Sequence, residues 1–228
     1  MSGYAELSLT PANPIRIAVL VSGRGRGTNF QALLDGCRSG RIPGDVALLV
    51  SSSPDTPAMA RASAGGVKAI YLPREPAEDE GDQALLKLLQ DHKIDLICLA
   101  GFMRKVGFAV LEAYPNRIMN VHPSLLPAFA GAGMYGLRVH QAVLAYGAKI
   151  SGCTVQFIDE EYDAGPIILQ RAAPVLEEDT PETLSARVLE QEHAAYVEAV
   201  CLFAEGRLSV EGRRVHVSTG LAQQKGTV

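Results

Sequence analysis

The sequence predicts an α/β fold: a doubly wound, mostly parallel sheet with an antiparallel C-terminal portion. Short runs of β-branched and other apolar residues recur along the chain, as strands covered on both faces require. Helical patterns separate these runs and give a strand–turn–helix rhythm. After Tyr146 the rhythm breaks into two adjacent strand patterns, followed by one long helical one.

The first strand is Ile15 to Val21 (IRIAVLV). It enters a glycine-rich turn and a helix from about Asn29 to Arg38. A strand at Asp45 to Val50, a short helix near Ala58 to Ala64 and a strand at Lys68 to Leu72 follow. Asp82 to His92 reads as a helix because Leu85, Leu88 and Leu89 share one side. Asp95 to Ala100 (DLICLA) is a buried strand, Phe108 to Tyr114 a helix and Arg117 to Val121 a strand. His140 to Tyr146 is helical. Gly152 to Ile158 and Pro166 to Val175 read as strands, and the Asp159 to Gly165 loop between them invites antiparallel pairing. The last helix spans about Pro181 to Ala204, with Thr180 as N-cap, Pro181 at the first helical position and Gly206 after its end. Leu184, Val188, Ala195, Ala199 and Leu202 form its apolar stripe. Residues 1–14 are expected to be a flexible extension, 15–206 the folded domain, and 207–228 a C-terminal strand and tail.

Composition narrows the function classes. Of 228 residues, 47% are hydrophobic and 20% charged, which is ordinary globular material. The net charge of −4 and the lack of a basic run give no support for general nucleic-acid or membrane-surface binding. Cys37, Cys98, Cys153 and Cys201 form no C-x-x-C pair, which suits a reduced interior. No apolar stretch approaches the roughly 18 residues of a membrane span. The N-terminus has no signal-peptide pattern. A cytoplasmic location is expected.

Three segments carry candidate chemistry. Ser22-Gly23-Arg24-Gly25-Arg26-Gly27-Thr28-Asn29 lies between the first strand and a helix, where backbone N–H groups and the helix N-terminus suit an anion. A plain tight turn has the same composition; the position after the first strand favours a phosphate cradle. The glycine spacing is not G-x-G-x-x-G, and Ser51-Ser52-Ser53 ends the second strand without an acidic residue, which disfavours a dinucleotide. Asn120-Val121-His122-Pro123-Ser124-Leu125-Leu126-Pro127 ends a central strand. Strand alternation puts Asn120 and His122 on one side, where an amide and an imidazole together can stabilise an oxyanion. A lone strand-end histidine is usually satisfied by backbone; the same-face asparagine favours function. Asp159-Glu160-Glu161-Tyr162-Asp163-Ala164-Gly165-Pro166 is acidic, and such loops are usually just solvated. Asp163 stands apart because Gly165-Pro166 forces a turn beside it. There is no H-E-x-x-H, no zinc-spaced Cys/His cluster and no G-x-S-x-G, so neither metal nor covalent catalysis is implied.

The Asn120–Pro127 segment resembles the hallmark of the folate-dependent formyltransferases. Leu99-Ala100-Gly101-Phe102-Met103-Arg104 and Asp163-Ala164-Gly165-Pro166-Ile167-Ile168 resemble its companion motifs. The likeness runs from about Ile15 to Gly206. The Gly-Thr-Asn loop and Gln191-Glu192-His193 point to members acting on glycinamide ribonucleotide. The resemblance implies formyl transfer from 10-formyltetrahydrofolate, as co-substrate, to the amine of that ribonucleotide in purine synthesis, without a metal. It also implies a monomer or homodimer with no nucleic-acid or membrane partner. Asn120 and His122 would bind the oxyanion, His122 would donate a proton, and Asp163 would support its charge. Met103, Arg104, Lys105 and Val106 match the pterin-lining segment, with Asn120 also on the folate. Ile158, Asp159, Glu160, Glu161, Tyr162 and Asp163 match the loop over the pterin. Gly27, Thr28 and Asn29 match the phosphate contacts, and Glu192 a carboxylate on the ribonucleotide; otherwise Glu192 is an exposed helix charge. The implied halves are 15–115 for the mononucleotide and 116–206 for the folate site.

The chain departs from the family pattern at several places. The phosphate loop is about two residues longer than S-G-x-G-[ST]-N. Gln156 stands where many members have a histidine. Gly131 to Gly136 forms an extended glycine-rich loop suited to a lid. The family's folate-contacting arginine has only Arg74 as a candidate. Hydrolysis of 10-formyltetrahydrofolate is the alternative activity, and a catalytically silent folate- or nucleotide-binding module the alternative class.

Overall fold

A computed structural model describes residues 14–23, 25–73 and 78–220. The expected extension, apart from Pro14, and Arg24, Arg74 and residues 221–228 lie outside the described residues. In chain order the elements are β1 (Ile15–Val21), α1 (Thr28–Arg38), β2 (Gly44–Ser51), α2 (Pro57–Ala64) and β3 (Lys68–Tyr71). Next come α3 (Glu78–Asp91), β4 (Leu96–Leu99), α4 (Phe108–Ala113), β5 (Ile118–His122) and α5 (Leu137–Tyr146). The chain continues through β6 (Ile150–Phe157), β7 (Ile167–Pro174), α6 (Pro181–Ala204), β8 (Leu208–Glu211) and β9 (Arg214–Val217).

Among the described residues all strands join one nine-stranded sheet, in the order β3-β2-β1-β4-β5-β6-β7-β9-β8. The run β3-β2-β1-β4-β5 is parallel, and β5–β6 and β6–β7 are antiparallel. Strand order reverses beside β1, which places the crevice for a ligand at the carboxyl ends of β1 and β4. The sheet is covered on both sides, which explains the uninterrupted apolar runs. Ile15, Ile17, Val19 and Val21 pack toward α1, α5 and α6. Ala18 and Leu20 pack toward α3 and α4.

Helix α6 has the expected start. Thr180 Oγ1 accepts from Thr183 N at 3.3 Å, and Thr183 Oγ1 accepts from Thr180 N at 3.0 Å, a reciprocal cap. Arg187 holds the Asp179 carboxyl well below the usual carboxylate range by donating to both its oxygens, at 2.7 and 2.8 Å. Further along, the buried Tyr196 hydroxyl lies 3.0 Å from both Leu99 O and Met119 O. One hydroxyl proton thus serves carbonyls of β4 and β5, next to Asn120.

The C-terminal segment departs from expectation. One strand is expected within 207–228; the described residues 207–220 hold two, β8 and β9, turning at Gly212, whose φ is +58°. Strand β9 joins β7 in parallel through the single pair Ile167–Arg214, so the end of the sheet is not wholly antiparallel. Helix α3 also starts earlier than Asp82, at Glu78.

Removing the Tyr196 hydroxyl takes a buried hydrogen bond from the β4–β5 seam. Tyr196→Phe is expected to lower unfolding free energy by about 0.5–1.5 kcal/mol, read from urea melts of both proteins. Coincident melts would show that the hydroxyl contributes nothing.

Candidate active site

Strand β5 delivers the first two residues. Asn120 pairs with Gln156 of β6 and His122 with Thr154, so these four side chains share one face of the sheet. The chain then turns through a cis Leu126–Pro127 peptide. Buried polar contacts fix that turn: Thr154 Oγ1 donates to Ser124 O (2.7 Å) and accepts from Leu126 N (3.0 Å). Gln170 Nε2 reaches Leu126 O at 3.0 Å and Thr154 Oγ1 at 2.9 Å.

The turn brings Phe129 O to within 3.0 Å of His122 Nε2, which donates to it. The other ring nitrogen, Nδ1, lies 3.5 Å from Asp163 Oδ1. With an acceptor at each nitrogen, only the doubly protonated ring donates at both ends. Asp163 has φ +54°, a left-handed conformation that aspartate tolerates better than most residues. A side chain at Gly165 would collide with the carbonyl of Phe157, so glycine lets the loop fold back against β6. Asp163 Oδ2 accepts from Gly131 N at 3.1 Å, and Oδ1 faces Gln156 Nε2 at 3.5 Å. The amide, imidazole and carboxylate named from sequence therefore stand on one side of the sheet, and the glycine-rich loop touches them through Gly131.

His140 lies on α5. It is buried, and burial, with a smaller effect from His122, pushes its pKa down to about 4. Near neutral pH it adds no charge beside His122.

A second cluster lies at the start of α1. Gly27 caps the helix at φ +71°, and a Cβ there would lie 2.8 Å from Ala58 Cα. Both facts demand glycine. Arg61 Nε donates to Arg26 O at 3.0 Å and so holds the lengthened loop from α2. Thr28 opens α1, and its neighbour Asn29 donates through Nδ2 to Glu192 Oε2 at 2.8 Å. Glu192 is 8% exposed, so it is not a solvated helix charge. Burial pushes its pKa up to about 7, against the opposing pull of Asn29.

The third region is a cleft of about 710 Å³ lined by Met103, Arg104, Lys105, Val106, Glu160 and Tyr162, among others. Ser22 Oγ accepts from Met103 N at 2.8 Å and contacts Ser52 Oγ at 3.0 Å, tying the end of β1 to this segment. Ile158 packs against the core, whereas Asp159 accepts from Glu161 N at 3.0 Å in a local turn. Neither Asp159 nor Glu161 lines the cleft, and neither do Asn120, His122 and Asp163.

One positioning group had no sequence signal. Asp82 Oδ2 accepts from Ala109 N at 2.8 Å, and a Cβ on Gly107 would collide with the Asp82 carboxylate. Asp82 thereby fixes the start of α4, next to the cleft. Among the described residues no group of three or more His, Cys, Asp or Glu side chains is placed to hold a metal ion. No described helix is long and apolar enough to cross a membrane.

Fold and site define a class: a doubly wound α/β protein with an amide–imidazole–carboxylate cluster at the carboxyl edge of its sheet, near a helix-capping glycine loop. Residues 15–200 match the formyl transferase family, and the chain belongs to that family. It is 42% identical over 85% of its length to the chloroplastic phosphoribosylglycinamide formyltransferase of Arabidopsis thaliana, of which it spans 66%. It is 37% identical over 86% of its length to the phosphoribosylglycinamide formyltransferase of Haemophilus influenzae, spanning 90% of that protein. Among solved structures, glycinamide ribonucleotide transformylase 1 from Symbiobacterium toebii is 52% identical with a TM-score of 0.84, covering 89% of this chain and 93% of that one.

The buried carboxylate predicts a pH effect. The folded-state pKa of Glu192, about 7, lies above its ordinary value of 4.5, so the folded protein retains the proton. Stability is lost as pH rises from near 4.5 through about 7. Glu192→Gln is expected to be more stable than wild type by about 2–4 kcal/mol at pH 8 and nearly equal at pH 4. Chemical denaturation at the two pH values tests this; an equal difference at both would rule out the linkage.

Proposed function

We propose that this protein transfers the formyl group of 10-formyltetrahydrofolate to the amine of glycinamide ribonucleotide, in purine synthesis. The observation that carries the reading is His122 within 3.5 Å of Asp163, on the sheet face that Asn120 shares. The reacting amine attacks the formyl carbon and negative charge builds on the formyl oxygen. Asn120 Nδ2 and the His122 ring donate to that oxygen. Because Nε2 is already given to Phe129 O, Nδ1 is the end of the ring that serves the reaction. Asp163 supports the ring's charge and receives, through water, the proton lost by the amine. The carbon–nitrogen bond to the folate then breaks as that proton passes back through water to the folate nitrogen, which leaves protonated, and the Asp163 carboxylate is restored.

Gly27, Thr28 and Asn29 hold the ribonucleotide phosphate at the N-terminus of α1, and Glu192 holds the remainder of that substrate. Met103, Arg104, Lys105, Val106 and the 158–163 loop hold the folate. In this reading residues 15–115 serve the ribonucleotide and 116–206 complete the folate site. The protein works in the cytoplasm as a monomer or homodimer, needs no metal, and has only small molecules as partners.

Release of tetrahydrofolate from 10-formyltetrahydrofolate, followed with and without glycinamide ribonucleotide, tests the activity. Release that needs the ribonucleotide supports transfer; release that ignores it means hydrolysis, and no release means a binding module. Asn120→Ala and His122→Ala are each expected to lower kcat at least about 100-fold with smaller changes in KM. Asp163→Asn should be comparably damaging and reshape the pH–rate profile. Near-normal turnover in the first two variants would remove those residues from the chemistry.

A further inference from the structure

Gln156 is 1% exposed on β6, directly opposite Asn120. Its Nε2 faces Asp163 Oδ1 at 3.5 Å, while its Oε1 is buried with no hydrogen-bond partner. An unsatisfied acceptor in that position calls for a donor.

The two ends of a carboxamide have nearly the same shape, so neighbours must decide which end points where. An ionised carboxylate only accepts hydrogen bonds. Asp163 therefore requires the NH2 end of Gln156 and leaves Oε1 for the rest of the shared face. The cross-strand neighbour there is Asn120, with Cβ atoms about 4.5–5.5 Å apart in such a pair. Asn120 faces the same ambiguity, and here it matters. Its NH2 end stabilises a developing oxyanion; its oxygen end would repel one.

We infer that Gln156 is a positioning residue that sets the polarity of Asn120 in the reacting complex: Asp163 turns Gln156 Nε2 toward itself, the unpartnered Gln156 Oε1 is then the acceptor that takes one Asn120 Nδ2 hydrogen once substrate binds, and the other Nδ2 hydrogen goes to the formyl oxygen. This role rests on the proposed formyl transfer. A neutral imidazole also has one donor and one acceptor, so it transmits the same polarity from Asp163 to Asn120. Leucine transmits none.

The test is steady-state turnover of wild type, Gln156→Leu and Gln156→His between about pH 5.5 and 9, a range that spans imidazole titration. Gln156→Leu should lower kcat at least about tenfold, with KM for both substrates within about threefold of wild type. Gln156→His should hold kcat within about threefold of wild type at pH 8. Its ratio to wild type should then fall as pH drops through about 6.5, because a protonated ring no longer accepts from Asn120. His122 on β5 and Asp163 on the following loop face the position in both proteins, so the ratio isolates residue 156. A Gln156→Leu kcat within twofold of wild type overturns the role. So does a Gln156→His variant no better than Gln156→Leu at pH 8, or a pH-independent ratio. If thermal melting shows Gln156→Leu unfolded, the Gln156→His ratio decides alone. A wild type without amine-dependent transfer overturns the function and this role together; an active wild type with an indifferent position 156 overturns the role only.

Discussion

The antiparallel register between β5 and β6 is the constraint on which the site depends. It sets Asn120 against Gln156 and His122 against Thr154, all on one face. A slip of one residue would send one strand's polar pair to the opposite face, since side chains alternate with period two. The Thr154–Ser124–Leu126–Gln170 contacts resist such a slip from the far side of the turn. Other parts of the site hang from the same two strands. Phe129 arrives on the loop leaving β5, and Asp163 on the loop leaving β6.

The electrostatics of the site are sparse. His140 is kept neutral by burial, and Glu192 is costly to ionise where it lies. His122 and Asp163 remain as a close imidazole–carboxyl pair, with the carboxyl group also holding a backbone N–H and an amide. A buried pair deprived of one member leaves the other uncompensated, which is why such pairs are poor places for substitution even apart from chemistry. The Gly27 loop after β1, the Met103 segment after β4 and His122 at the end of β5 all lie at the carboxyl edge of the parallel strands.

Much of this was legible in the sequence because it is local. Apolar runs such as IRIAVLV report a doubly covered sheet, and Thr180, Pro181 and Gly206 bracket α6 as capping chemistry requires. The same-face placement of Asn120 and His122 follows from alternation alone. Long-range facts were not legible. Gly165-Pro166 marks out Asp163 within the acidic loop but not its approach to His122, and a glutamate within a helix reads as solvated until Asn29 is seen against it. Phe129 acts through its carbonyl, which every residue has. Strands β8 and β9 are short and mostly polar, so they resemble a tail; only their docking on β7 makes them part of the sheet.

The contact between Asp82 and Gly107 has an evolutionary consequence. The carboxylate occupies the space a side chain at 107 would need, and in that space it pins the amide of Ala109. Neither position can drift by itself: a methyl group gained at 107 evicts the acid, and loss of the acid unties the helix start that glycine was making room for. The two therefore form a single heritable unit spread over two helices, and a lineage that reshaped this wall of the cleft would have to change both together.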